Sequence, residues 1–269
     1  MGVKQELDKF YTKKDVVEQL LKEIDLKNFD LIIEPSAGNG GFSDFLYSFN
    51  MVALDIEPEK DYIIKQDWFT FDTSNHYRKV LVIGNPPFGL RNILSKRFIE
   101  HALKIENINT IAFVLPDVFN KHTNQKIFPK EWKLKQVIKL PRDSFTLDGK
   151  EYHVPCSFYI WTKDEVEKDL RFNPDEFVTQ DFEYILTKDK ENADFFVMGA
   201  SPRVVKEIAD VHINNRGYYI KSLIGKEILM DRFRNINWNE HGNSSVNGGA
   251  SWFSKPELIK AYEEQKNKI

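Results

Sequence analysis

Short apolar runs that end on an acid or in a glycine- or proline-bearing loop, with stretches of helical spacing between them, constrain this chain most. Asp30–Glu34 (DLIIE), Met51–Asp55 (MVALD), Val80–Gly84 (VLVIG) and Thr110–Leu115 (TIAFVL) each have the length and composition of a buried strand. Between and before them apolar residues recur every three or four positions. Val16, Val17, Leu20, Leu21 and Ile24 predict a helix over Lys13–Ile24, with Thr12 and Asp15 as a capping pair. Phe42, Phe45, Leu46 and Phe49 predict a second, and Leu94, Phe98, Ala102 and Ile105 a third over Ile93–Ile105. Tyr62–Ile64 reads as a further short strand. Leu134–Leu140 and Ser157–Thr162 read as late strands paired in a hairpin. Alternation of strand and helix predicts an α/β fold with a parallel sheet and helices on both faces.

After Thr162 the alternation stops. Lys163–Arg171 is strongly charged and reads as a linker or an exposed helix. A short helix is expected over Arg203–Val211, and strands over Phe182–Leu186 and Phe195–Met198. Asn214–Gly217 and His241–Gly249 read as Asn/Gly-rich loops, and Ser254, Pro256 and Glu257 as the start of a last helix. The expected division is a main domain over residues 1–165 and a small C-terminal appendage over 166–269. With 41% hydrophobic and 29% charged residues, the chain has the composition of a soluble globular protein. It lacks an apolar run of the ~18 residues a membrane helix needs. Met1–Tyr11 is polar and charged, unlike a signal peptide, so a cytoplasmic location (nucleoid-associated in a bacterium) is expected. The lone Cys156 and six histidines show no metal-ligand spacing, so no metal is expected.

The loops after the strands carry the chemistry. An open parallel sheet binds ligands beyond the C-terminal ends of its strands. Glu34-Pro-Ser-Ala-Gly38-Asn39-Gly40 is a loop of small residues beside an acid, and an acid there disfavours phosphate and suits an ammonium or sulfonium group. Asp55 follows Gly38 by 17 residues, close to the ~20 expected of an acid that accepts hydrogen bonds from ribose hydroxyls. Asp67, with Trp68 and Phe69 adjacent, offers an acceptor for an adenine amino group. Asn85-Pro86-Pro87-Phe88 is the most informative tetrapeptide. Two prolines remove two N–H donors, leaving the Asn85 side-chain oxygen and the Pro86 carbonyl as acceptors for an NH₂ group, with Phe88 available to stack on a base.

Phe10-Tyr11-Thr12, EPSAGNG at Glu34–Gly40, ALD at Ala53–Asp55, QDWF at Gln66–Phe69 and NPPFG at Asn85–Gly89 occur in that order. The set resembles the S-adenosylmethionine-dependent N6-adenine methyltransferases, in the gamma motif order of the DNA enzymes known from restriction-modification. The resemblance covers roughly Asp8–Thr162 and implies a Rossmann-like class I methyltransferase sheet. It implies that Phe10, Tyr11 and Thr12 lie near the methionine end of S-adenosyl-L-methionine and that Glu34, Gly38 and Gly40 shape the pocket around it. It further implies that Asp55 holds the ribose, that Ile56 packs on the cofactor adenine, and that Asp67 with Trp68 or Phe69 frames it. Asn85, Pro86, Pro87 and Phe88 would hold the target base, with Phe158 or Phe145 packing nearby.

The partner implied is DNA, with RNA as the alternative, although net charge is −3. The basic surface must then be local. Lys121–Arg142 carries seven basic residues against Glu131, a net +6, and includes Lys121, Lys126 and Lys130 together with Asn120, Asn124, Gln125 and Trp132. The appendage is short for an elaborate recognition domain, which leaves tight specificity to a dimer or a partner subunit. Glutamine methylation of protein fits less well because that family carries NPPY, and cytosine N4 enzymes carry Ser in place of Asn85. A catalytically silent binding subunit of the same fold is the rival from another class.

Overall fold

The computed structural model describes residues 10–73, 76–147, 150–200, 204–241 and 252–267, and the chain divides into two compact units, 1–171 and 172–269. Arg203 and most of the predicted His241–Gly249 loop lie outside the described residues.

The first unit is built on a seven-stranded sheet. Its strands are β1 (Leu31–Glu34), β2 (Met51–Asp55), β3 (Ile64–Lys65), β4 (Val80–Gly84), β5 (Ile108–Pro116), β6 (Lys133–Lys139) and β7 (Cys156–Thr162), in spatial order β3-β2-β1-β4-β5-β7-β6. β1 pairs parallel with β2 and β4, β2 with β3, and β4 with β5; β7 runs antiparallel between β5 and β6. The expected α/β class is therefore found, and the predicted late strands do pair antiparallel. Alternate residues explain why β1, β4 and β5 read as unbroken apolar runs. Leu31, Ile33, Val80, Val82, Ile111 and Phe113 pack with Phe98, Ile99 and Ala102 of the helix α2 (Ile93–Lys104). Ile32, Leu81, Ile83, Ala112 and Val114 point the other way and are equally buried. On that second face Phe42 stacks on Phe158, with centroids 6.3 Å apart. The order reverses between β1 and β4, so the loops after these two strands diverge and leave a crevice at their C-terminal ends.

Local expectations were modified where long-range contacts compete. The helix predicted after the glycine loop is only a 3₁₀ turn over Ser43–Phe45. Its bonds run Phe45 N to Phe42 O and Leu46 N to Ser43 O, a three-residue step that buries Phe42 and Leu46 and leaves Phe45 and Phe49 half-buried. The first helix, α1, spans Lys14–Leu21 without the predicted cap, because Thr12 is recruited into a strand instead. Tyr11–Thr12 pairs with Phe145–Leu147, which pairs with Lys150–Tyr152. The strand predicted at Tyr62 is displaced to β3, and Tyr62 donates its hydroxyl hydrogen to Asp44 at 2.6 Å. Lys163–Arg171 forms neither a helix nor a free linker. Arg171 binds the carbonyls of Phe128, Pro129 and Trp132 and stacks on Trp161.

The second unit is a four-stranded antiparallel sheet, in the order Phe182–Ile185, Gly217–Ser222, Phe195–Met198, Val205–Glu207. Helices over Lys226–Arg234 and Lys255–Lys266 contribute Leu229, Phe233, Leu258 and Tyr262 to a core with Phe182, Phe195 and Ile220. The last helix starts with the predicted Ser254/Glu257 capping box. In place of the helix expected over Arg203–Val211, Val205–Glu207 is a strand held by pairing with Phe195–Val197, and only Ile208–Asp210 makes a 3₁₀ turn.

Candidate active site

A cleft partly open to solvent lies at the C-terminal ends of β1, β2 and β4. The sequence motifs converge there from three separate strands. Phe10, Tyr11, Thr12, Glu34, Gly38, Asp55, Ile56, Asp67, Trp68, Phe69, Asn85 and Pro87 all line it. Gly40, Pro86 and Phe88 do not, and neither do Lys121, Lys126, Lys130 or Phe158.

The glycine loop is held by the acids at the strand ends. Gly38 adopts φ +51° and Gly40 φ +83°, conformations that side chains strain to reach. Asp55 Oδ2 accepts from the Gly38 amide at 2.7 Å, and Oδ1 accepts from the Glu57 amide at 2.8 Å. Each carboxylate oxygen retains a further acceptor direction. Glu34 is 3% exposed and accepts from the amides of Phe42 at 3.2 Å and Ser43 at 2.7 Å. Burial dominates these bonds and pushes its carboxyl up to about 8.

Asn85 lines the cleft with one half of its amide committed and the other half unmet. Its Nδ2 donates to the Phe10 carbonyl at 2.9 Å, and a carbonyl can only accept, so the amide orientation is fixed. Its Oδ1 is buried and meets no donor; the same holds for Thr12 Oγ1. The loop around it is braced through carbonyls: Ser36 Oγ donates to Asn85 O at 3.3 Å, Ser95 Oγ to Pro87 O at 3.1 Å, and the Leu94 amide to Phe88 O at 3.2 Å.

Three sequence-based roles change. Phe88 is only 4% exposed and its ring faces Phe10, with centroids 6.1 Å apart, so it is not a free stacking surface. Phe10 in turn stacks on Tyr152, which is 44% exposed, and the accessible aromatic face belongs to that pair. Phe158 and Phe145 are fully buried in the sheet and hairpin, so neither reaches a base. Trp132, a candidate base contact, is likewise buried, and Lys133–Lys139 forms the sheet-edge strand β6. Lys126 and Lys130 are exposed. Missed in the sequence were Glu57, Glu59, Leu94 and Phe98 on the cleft wall; the Glu-Pro-Glu that follows the Asp55 strand end was the available signal for the first two. With Asp55 and Asp67 they bring four carboxylates to the wall besides the buried Glu34, and among the described residues no Lys or Arg lines it. That field repels phosphates and favours a cation. Among the described residues no His, Cys, Asp and Glu cluster could hold a metal, and no helix is long and apolar enough to cross a membrane.

No family model matches the chain, and no curated protein sequence matches it. Solved structures with a similar course of chain include the 23S rRNA methyltransferase ErmE, at 11% identity and TM-score 0.46, covering 96% of this chain and 99% of that one. The N-methyltransferase NodS from Bradyrhizobium japonicum WM9, in complex with S-adenosyl-L-homocysteine, is similar at 14% identity and TM-score 0.40 over 59% of this chain and 90% of its own. A dimethyladenosine transferase from Plasmodium falciparum is similar at 11% identity and TM-score 0.39 over 56% of this chain and 62% of its own. All three TM-scores are below 0.5.

Proposed function

We propose that the chain transfers a methyl group from S-adenosylmethionine to the exocyclic N6 amine of adenine in DNA. The observation that carries this reading is the buried, unpartnered Asn85 Oδ1, aimed by an amide whose nitrogen is already committed to Phe10. An acceptor left without a donor costs about 1–3 kcal/mol, so its natural occupant is a donor brought by the substrate.

The cleft fits the cofactor. Asp55 presents two carboxylate oxygens for the ribose hydroxyls, and Ile56, nearly half exposed, offers an apolar face for the adenine. The four carboxylates Asp55, Glu57, Glu59 and Asp67 favour a sulfonium over any phosphate-bearing nucleotide. When bound, the cofactor supplies an electrophilic methyl group. The protein's own groups then prepare the nucleophile. An exocyclic amine is a poor one because its lone pair is shared with the ring. Asn85 Oδ1 accepts one of its hydrogens and favours a pyramidal nitrogen with a freer lone pair; Pro86, whose carbonyl the sequence offered for the second, is buried and does not line the cleft. The methylated nitrogen sheds a proton readily, so positioning carries most of the rate. The Phe10–Tyr152 pair takes the stacking role that the sequence assigned to Phe88.

The amine of adenine is the same in DNA and RNA, so the test runs both. Tritiated methyl transfer to unmethylated DNA, to RNA and to protein, in parallel, should label DNA. Label in RNA alone would move the substrate, and label in none would withdraw the enzymatic reading in favour of a silent binding subunit. The exposed Lys126 and Lys130, with Lys121, are proposed to meet phosphates. Neutralising all three should flatten the slope of log affinity against log salt by about 0.9 per lost contact.

A further inference from the structure

The segment that follows Asn85–Phe88 is strained in a way the fold does not use. Gly89 has φ +66°, and the next turn holds two consecutive non-glycine residues in the left-handed region, Arg91 at φ +55° and Asn92 at φ +61°. Such conformations persist only where the surroundings enforce them, and they cluster at functional sites. Helix initiation does not account for them. α2 starts from Asn92 with no side-chain cap bond, although an extended Asn at that position would supply one.

The result of the strain is the placement of two side chains. The turn is closed by the Asn92 amide on Gly89 O at 3.2 Å and pinned by the Leu94 amide on Phe88 O at 3.2 Å. Pro87 on one side and Leu94 on the other line the cleft, so the turn between them sits on its lip. There Leu90 is 68% exposed and Ile93 56%. Charge changes sign at the same edge. The cleft wall holds only carboxylates, whereas the lip carries exposed Arg91 and Arg97, the latter 4.5 Å over the Phe69 ring. An apolar knob on a rigid turn, beside cations and next to a pocket for a single base, has the chemistry of a wedge for a stacked duplex.

We infer that Leu90 enters the base stack of duplex DNA and fills the space vacated when the target adenine is extruded toward Asn85, with Arg91 against the adjacent phosphate. This rests on the methyltransferase reading above and adds a duplex-specific element to it. Extrusion leaves a gap that an apolar side chain offsets, and a nucleotide already unpaired needs no such help.

The test uses the full chain and tritiated S-adenosylmethionine with unmethylated plasmid DNA, native and heat-denatured. Leu90→Ser keeps an exposed position polar and small; Leu90→Met keeps its apolar bulk. Leu90→Ser should lose roughly tenfold or more in kcat/KM on native DNA and retain its rate on denatured DNA, with Leu90→Met close to wild type on both. Should only the duplex be a substrate, the serine-to-methionine contrast on native DNA decides. Equal loss on both forms, a wild-type rate for Leu90→Ser on native DNA, or wild-type transfer confined to denatured DNA would each overturn the wedge while leaving the methyltransferase reading in place. No transfer by the wild type to either form would remove both.

Discussion

The Asn85 site of the first unit and the Asp181 cluster of the second treat their buried polar groups in opposite ways. In the second unit Asp181 Oδ2 is met three times: Arg232 Nη1 donates at 2.9 Å, Tyr262 OH at 2.6 Å, and Lys266 Nζ lies at 2.9 Å. In the cleft Asn85 Oδ1 and Thr12 Oγ1 are buried and receive nothing. Both regions lie in well-packed units with large aromatic cores, so the difference is not one of packing quality. A polar group that is fully met contributes to stability, and one that is buried and unmet costs it. Unmet buried atoms also occur away from the cleft, at Tyr159 OH, Arg171 Nε and Glu263 Oε1, so what singles out Asn85 Oδ1 and Thr12 Oγ1 is that both belong to residues lining the cleft.

The sharpest way to break that contrast is to delete one member from each side. Asn85→Ala should lower turnover by about two orders of magnitude or more, with cofactor affinity nearly unchanged, since it removes an acceptor needed only by the reacting amine. Calorimetry with S-adenosylmethionine and initial rates separate the two effects; near-normal turnover would strip Asn85 of its role. Asp181→Ala should do the reverse. It should cost about 2–3 kcal/mol of stability in urea melts, because two cations and a buried hydroxyl lose their acceptor. The sign with pH follows. Burial raises the Asp181 carboxyl, but the Tyr262 and Lys266 bonds outweigh it and hold it below its ordinary range. Its contribution is therefore present above that range and lost as pH falls through the depressed value.

Asp55→Ala comes next. It removes the acceptors proposed for the ribose and also the bond that fixes Gly38, so cofactor binding should weaken by about 1–3 kcal/mol. Unchanged affinity would take Asp55 out of the site.

The smallest effect is a pH profile. Glu34 sits near 8 in the protein, against 4.5 ordinarily, because of burial. A bound sulfonium would favour its charged form, so cofactor affinity should rise with pH through about 8, by at most about tenfold per unit. Stability runs the other way: the raised group's contribution is full below the ordinary carboxylate range and is lost as pH climbs through about 8. Glu34→Gln should flatten both profiles, and a wild-type affinity already flat across that range would detach Glu34 from the cofactor.

The sheet was legible because β1, β4 and β5 are buried on both faces, and nothing but apolar residues satisfies that. The convergence of Glu34, Asp55 and Asn85 on one crevice followed from strand ends in a parallel sheet, which topology brings together whatever the intervening chain does. Contacts between distant segments were not legible. That Thr12 caps no helix depends on Phe145, more than a hundred residues away, and that Phe88 is covered depends on Phe10 being carried across by the same pairing. The Val205–Glu207 strand is fixed by its partner Phe195–Val197 and not by local spacing. Glu34 shows the limit most plainly. The sequence places an acid beside the glycine loop, but only the structure shows its oxygens turned onto the amides of Phe42 and Ser43.

The central claim is that the unmet acceptor in the cleft is kept for an adenine amine. The direct measurement is to incubate the chain with tritiated S-adenosylmethionine and unmethylated DNA, digest the DNA to nucleosides and separate them. The account predicts label in N6-methyldeoxyadenosine, at a level that falls to background with Asn85→Ala. Label in a methylated cytosine, or label in adenine that persists at the wild-type rate in Asn85→Ala, would contradict it.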